Sequence, residues 1–187
     1  MFMELSRYLA IVDVDVFKDD IVEKTKKIVE TYKPSIMLRA KNLKGKYFYE
    51  YAKAIRDITL NYDVLFFVNE RFDISMAVEA DGVHLPSNAI DIHIVKSVFK
   101  NKIIGYSAHS KEDALEAFSK GADYVTLSPI FPTKSHENAK PLGLDYLKDV
   151  VKSSKKPVYA LGGITKQNID DVLNTGVYGI ASIRFFL

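Results

Sequence analysis

Short runs of apolar, strand-forming residues recur along this chain at fairly even intervals, at 8–13, 35–39, 64–69, 82–85, 103–107, 124–128, 158–161 and 179–183. Most are apolar at consecutive positions rather than alternate ones, and Val64-Leu65-Phe66-Phe67-Val68 is the clearest case. Runs of this kind suit parallel strands that are covered on both faces. Between them the apolar positions take up helical spacing. Segment 20–32 brings Ile21, Val22, Ile28 and Val29 to one side, and 47–62 does the same with Phe48, Tyr51, Ala52, Ile55 and Ile58. Segments 111–120, 144–153 and 166–175 repeat the pattern. Thr165 stands where it can cap the last of these, with Asn168 three residues on.

Eight strands with seven intervening helical segments predict an α/β fold, a (β/α)8 TIM barrel formed as one domain over residues 1–187. An open doubly wound sheet competes, but the even repeats and the Gly162-Gly163 pair ahead of a late helix favour the barrel. The chain stops at Leu187, so the eighth helix is expected to be short or missing. Its tail, Ile183-Arg184-Phe185-Phe186-Leu187, is too apolar for water. It is expected to pack over the barrel base or into a partner subunit, which leaves a homodimer open.

Composition narrows the functional classes. The chain has 48% hydrophobic residues, enough for a full core. No apolar run reaches about 18 residues, so no membrane span is expected. The N-terminus lacks the basic-then-apolar pattern of a signal segment. Cysteine is absent, which excludes disulfides and thiolate chemistry and fits a reducing cytoplasmic setting. The net charge is +2 and the basic residues are dispersed, so nucleic acid is not an expected partner.

In a parallel barrel, chemistry belongs at the carboxyl ends of strands. Those ends carry Asp13, Arg39 and Lys41, Asn69 with Glu70 and Arg71, His84, Ser107 with His109, the stretch Ser128 to Thr133, Gly162-Gly163, and Ser182 with Arg184. Cations, hydroxyls and open backbone amides of this sort suit a phosphorylated ligand. Gly162-Gly163 reads either as a plain turn or as a close backbone approach to an anion, and its place after the seventh strand favours the anion. Arg39 and Lys41 read either as a solvated pair or as inward groups that need an anion. His84 and His109 are wall residues or proton carriers. His93 falls in a helical segment facing solvent. The loop from Lys134 to Lys140 holds Ser135 and His136 and reads as a lid or as an exposed connection. Asn69-Glu70 offers oxygens to Mg²⁺, with no second carboxylate at a matching place.

Together these motifs resemble the thiamine-phosphate synthase/TenI superfamily over nearly the whole chain. The resemblance rests on Leu38-Arg39-Ala40-Lys41, the run from Val68 to Ile74, Ala80-Asp81-Gly82-Val83-His84-Leu85-Pro86-Ser87, Gly105-Tyr106-Ser107-Ala108-His109-Ser110, Gly121 to Thr133, and Leu161-Gly162-Gly163-Ile164. It implies thiamine biosynthesis. Synthases of this kind join a pyrimidine pyrophosphate to a thiazole phosphate and release pyrophosphate with Mg²⁺. TenI-type members bind thiazole phosphate, and some tautomerise it. By this resemblance Arg39, Lys41 and Asn69 hold the pyrophosphate side, Ser107 lies near the pyrimidine, Thr133 and Ser135 belong to the pyrophosphate loop, and Gly163 holds the thiazole phosphate.

The departures are specific. Glu70 stands for the first metal-binding aspartate, and Ala89 stands for the second, with Asp91 two residues away. Pro86-Ser87 is TenI-like. His136 replaces the loop lysine. Arg184 replaces a late phosphate-binding serine, for which Ser182 is a neighbour. Pro129 replaces the histidine of some tautomerases. Three readings follow, in this order: a TenI-like thiazole tautomerase with His84 or His109 carrying the proton, a thiamine-phosphate synthase using Glu70 and Asp91 for metal, and a silent phosphate-binding or regulatory barrel.

Overall fold

The computed structural model describes residues 4–133 and 139–187. Its strands are β1 Tyr8–Asp13, β2 Ser35–Arg39, β3 Phe66–Asn69, β4 Gly82–Leu85, β5 Ile103–Ala108, β6 Tyr124–Leu127, β7 Val158–Leu161 and β8 Gly179–Ser182. All pair in parallel with their sequence neighbours, and β8 returns to β1 to close the barrel. The expected (β/α)8 architecture is therefore observed. The helices are α1 Val14–Phe17, α2 Ile21–Tyr32, α3 Gly45–Asn61, α4 Phe72–Ala77, α5 Ile92–Val98, α6 Lys111–Ser119, α7 Gly143–Ser153 and α8 Ile169–Leu173. No helix among the described residues is long and apolar enough to cross a membrane.

Two apolar shells fill the space between strands and helices. One packs β1–β3 against α2 and α3 through Val12, Ile21, Leu38, Phe48, Ile55 and Val68. The other packs the remaining strands against α5 to α7 through Ile92, Ile104, Val125, Leu147 and Val150. Burial of such side chains contributes roughly 1.5–3 kcal/mol each and dominates the stability of the fold. Inside the barrel a smaller set, among them Leu9, Ile11, Met37, Phe67, Tyr124 and Tyr159, fills the lower layers. Tyr159 donates its hydroxyl to the carbonyl of Ser6 at 2.5 Å, and Tyr178 donates to that of Leu5, which ties the N-terminal segment across the base. Asp81 and Asp123 repeat one device. Each accepts from the N–H of an incoming strand, Phe66 and Ile104 respectively, at 2.8 Å.

Two expectations are corrected. The last helix does not begin at Lys166. Asn168 accepts from the N–H of Thr165 at 2.8 Å and donates to the carbonyl of Gly163 at 3.0 Å, so its side chain ties the loop. Helical structure starts only at Ile169 and lasts five residues. The tail also lies elsewhere than the base. Phe185 and Phe186 fold back onto the flank of the barrel and meet Tyr8 and the Tyr32 end of α2, with Tyr32–Phe186 ring centroids 5.4 Å apart. Phe186 is buried in the shell over β1 and β2, so these rings cover the flank beyond β8 in place of a further helix. Phe186→Ala should lower stability by about 2–4 kcal/mol in urea unfolding. A loss below about 0.5 kcal/mol would mean that the tail does not hold the flank.

Candidate active site

The carboxyl ends of the strands surround a mouth with two lobes. The larger lobe, about 410 Å³, is lined by Arg39, Lys41, Asn69, Glu70, His84, Ser107 and His109, together with Thr126. The smaller, about 280 Å³, is lined by Thr133, Gly162, Gly163, Thr165, Ser182 and Arg184. Ile11, Arg39, Ser128 and Leu161 line both lobes and form the wall between them. The residues singled out from strand tips thus converge on one opening. Ser135 and His136 lie outside the described residues.

Arg39 does not wait for an external anion. Its register partner across β1 and β2 is Asp13, and the two side chains form an ion pair. Asp13 is buried and also accepts from the N–H of Asp15 at 3.0 Å, capping α1. A buried carboxylate is tolerable only when paired in this way. Lys41 lies just past β2, exposed, with no ion-pair partner among the described residues. Asn69 is buried and points its amide into the larger lobe without a hydrogen-bond partner among the described residues. Glu70 follows with a left-handed φ of 66°, a conformation uncommon for a side chain of its size. Its N–H is held by the carbonyl of His84 at 2.8 Å, and its side chain stands exposed at the rim.

His84 is corrected from proton carrier to wall residue. Both ring nitrogens are engaged, Nδ1 with the Tyr124 hydroxyl at 3.1 Å and Nε2 with Ser107 Oγ at 2.9 Å. Burial pushes its pKa down to about 3, so the ring is neutral near pH 7 and a poor acid or base. His109 is exposed at the mouth, with Nδ1 donating to the carbonyl of Ser128 at 3.0 Å.

Around the smaller lobe, Gly162 and Gly163 have φ of +101° and +67°. A Cβ on Gly162 would fall 2.9 Å from Pro129 Cα, and one on Gly163 would fall 2.6 Å from the carbonyl oxygen of Pro132. The glycines therefore let residues 129–132 close over the end of β7. Ile130 and Phe131 donate to the carbonyls of Leu161 and Gly162 at 2.9 and 3.1 Å. The N–H groups of Gly163 and Ile164 find no acceptor among the described residues. A helix dipole does not reinforce them, because α8 starts six residues after Gly163. Ser182 accepts from the N–H of Phe185 at 3.2 Å, so its hydroxyl serves the tail. Arg184 is exposed at this lobe and has no ion-pair partner among the described residues.

The metal expectation is not met by the donor set. No group of three or more His, Asp or Glu comes together among the described residues. Glu70 is the one carboxylate among the described residues that line the larger lobe. Asp91 caps α5 through the N–H of His93 at 2.8 Å and pairs with Lys120 at 2.8 Å, in a separate recess. These residues do not fit a cage for a divalent ion. Sequence reasoning places Asp13 at a strand end but misses its pairing with Arg39, and it misses Tyr124 and Thr126. The inward alternation of 124, 126 and 128 along β6 was the available signal.

The thiamine monophosphate synthase family model (TMP-TENI) matches residues 8–186. A protein of Aquifex aeolicus named "Putative thiamine-phosphate synthase 2" is 48% identical over 99% of this chain and 100% of its own length. The thiamine-phosphate synthase of Pyrococcus furiosus is 46% identical over 87% of this chain and 78% of that protein. Among solved structures, a thiamine phosphate pyrophosphorylase from Pyrococcus furiosus superposes with a TM-score of 0.87 at 42% identity, over 94% of this chain and 85% of that one.

Burial of neutral His84 makes stability depend on pH. The unfolded histidine titrates near 6.5 and the folded one near 3. As pH falls from 6.5, the unfolded state takes up a proton that the folded state refuses, so stability is lost at about 1.4 kcal/mol per unit. Urea titrations at pH 6.5 and pH 4.5 should differ by roughly 2–3 kcal/mol from this group. His84→Asn should remove that share, and an unchanged difference in the variant would refute the assignment.

Proposed function

We propose that this chain, which belongs to the thiamine monophosphate synthase family, joins a pyrimidine pyrophosphate to a thiazole phosphate and releases pyrophosphate. The observation that carries the reading is the mouth of two lobes with a common wall at Arg39, Ser128 and Leu161. A condensation needs two sites whose ligands meet, and holding both reactants together removes much of the entropic barrier. The names of the relatives point to the same reaction.

In this reading the thiazole phosphate anchors in the smaller lobe, on the open N–H groups of Gly163 and Ile164 and on Arg184. The pyrimidine lies in the larger lobe against Ser107 and Asn69. The thiazole ring nitrogen attacks the pyrimidine methylene, a C–N bond forms, and the C–O bond to pyrophosphate breaks with its electron pair leaving on oxygen. Lys41, Arg39 and the Thr133 segment meet the growing charge on the leaving group, which is where electrostatic stabilisation counts most. The tautomerase reading has less support. It requires one phosphate lobe and a proton carrier; His84 is locked and neutral, residue 129 is proline, and His109, whose Nδ1 donates to the carbonyl of Ser128, is the candidate left to it.

Pyrophosphate release should be seen only when both substrates are supplied. No release with both present, or aromatisation of the thiazole carboxylate phosphate instead, would end the synthase reading. Arg184→Ala should raise KM for the thiazole phosphate roughly 10–100-fold, the value of one charge-assisted hydrogen bond. KM for the pyrimidine substrate should stay within about twofold, because Arg184 lines only the smaller lobe.

A further inference from the structure

Beneath the larger lobe lie two buried polar residues, Tyr124 and His84, that the reaction above leaves without a purpose. Tyr124 is fully buried, with its ring 5.4 Å from Phe67 and 5.5 Å from Tyr159. Its hydroxyl reaches His84 Nδ1 at 3.1 Å, and His84 Nε2 reaches Ser107 Oγ at 2.9 Å. Gly105 makes this meeting feasible. A Cβ there would lie 2.5 Å from the Tyr124 hydroxyl oxygen and 2.6 Å from His84 Nδ1.

The direction of the hydrogens follows from what each group can do. The Tyr124 hydroxyl has His84 Nδ1 as its only hydrogen-bond partner among the described residues. Burial raises the phenol pKa well above its ordinary value, so the group keeps its proton. If Nδ1 carried the imidazole hydrogen, the phenol O–H would face apolar surroundings without an acceptor, which buried donors avoid. With Tyr124 donating to Nδ1, the neutral ring carries its hydrogen on Nε2 and donates it to Ser107 Oγ. Ser107 has then accepted its bond from below, and its own O–H is left for the lobe.

We propose that Tyr124 and His84 are positioning residues that orient Ser107 as a hydrogen-bond donor toward a neutral acceptor atom, such as a ring nitrogen, on the heterocycle in the larger lobe. Naming that heterocycle the pyrimidine rests on the synthase reading. The relay itself does not. Thr126 stands opposite Ser107 in the β5–β6 register, and its buried hydroxyl has no partner among the described residues. The floor of the lobe is thus a pair of hydroxyls above a neutral imidazole, while the cations stand at the rim. A ring that offers an acceptor to Ser107 uses the O–H that the relay leaves to the lobe, whereas one that offers only an N–H leaves that donor unsatisfied, so the relay contributes selectivity as well as placement.

The test combines a spectroscopic readout with kinetics on the full chain. In ¹⁵N-histidine protein near pH 7, His84 should show a protonated Nε2 and an unprotonated Nδ1. Tyr124→Phe removes the donor that fixes the tautomer, so the single Nε2-protonated form should give way to exchange between tautomers, which broadens both ¹⁵N signals. Ser107→Ala and Tyr124→Phe should each raise KM for the pyrimidine pyrophosphate about tenfold or more and leave KM for the thiazole phosphate within about twofold. The double variant should be no worse than Ser107→Ala, since Tyr124 acts through the serine. An Nδ1-protonated His84 in the unaltered protein, or fully additive losses, would overturn the relay. If Tyr124→Phe fails to fold, the tautomer of the unaltered protein decides alone. If the tautomer is as stated but neither substrate turns over, the relay stands and the synthase reading falls.

Discussion

Each strand of this barrel is four to six residues long, so each sends only two or three side chains into the interior. The lower inward positions must be large and apolar to fill a closed barrel. Leu9, Met37, Phe67, Tyr124 and Tyr159 meet that demand. What remains for chemistry is one inward layer and the loops above it. Asp13, Arg39, Asn69, His84, Ser107 and Thr126 come from that layer. The site is polar because the layers beneath it have already filled the core.

The same limit explains how much of the molecule could be read from the chain. β1, β2, β4 and β7 have the bounds expected from apolar runs, since a strand covered on both faces leaves an unbroken signal. β3 starts two residues late because the N–H of Val64 turns back to the carbonyl of Thr59 at the end of α3. α8 shrinks because Asn168 serves the loop rather than a longer helix. At the site, strand-tip counting found Arg39, Lys41, Asn69, Ser107 and Gly163. It did not find what they touch. The Asp13–Arg39 pair spans 26 residues and the His84–Tyr124 contact spans 40, and both depend on cross-strand register, which no local pattern carries. Position alone therefore leaves His84 open between wall residue and proton carrier.

Charge is distributed by height in the mouth. Arg39, Lys41 and Arg184 line the rim, with Glu70 as the one carboxylate among the described residues lining the two lobes. Beneath them the groups are neutral: an amide, two hydroxyls and an imidazole held uncharged by burial. A ligand with an anionic end and a neutral aromatic end fits this gradient in one orientation. Reversing it would place phosphate against groups that cannot match its charge and would leave the cations facing a ring.

The position of Arg184 follows from the fold of the tail. Two residues separate Ser182, the last residue of β8, from Phe185, whose N–H is caught by the Ser182 hydroxyl at 3.2 Å. That bond turns the chain sharply, so Phe185 and Phe186 drop onto the flank while Arg184 stays at the mouth. The aromatic contacts with Tyr8 and Tyr32 hold the turn from outside the barrel. Packing on the flank and charge at the smaller lobe are therefore one structural feature. A change that frees the rings also frees the arginine, which ties phosphate recognition in this chain to contacts made on the outer face of the barrel.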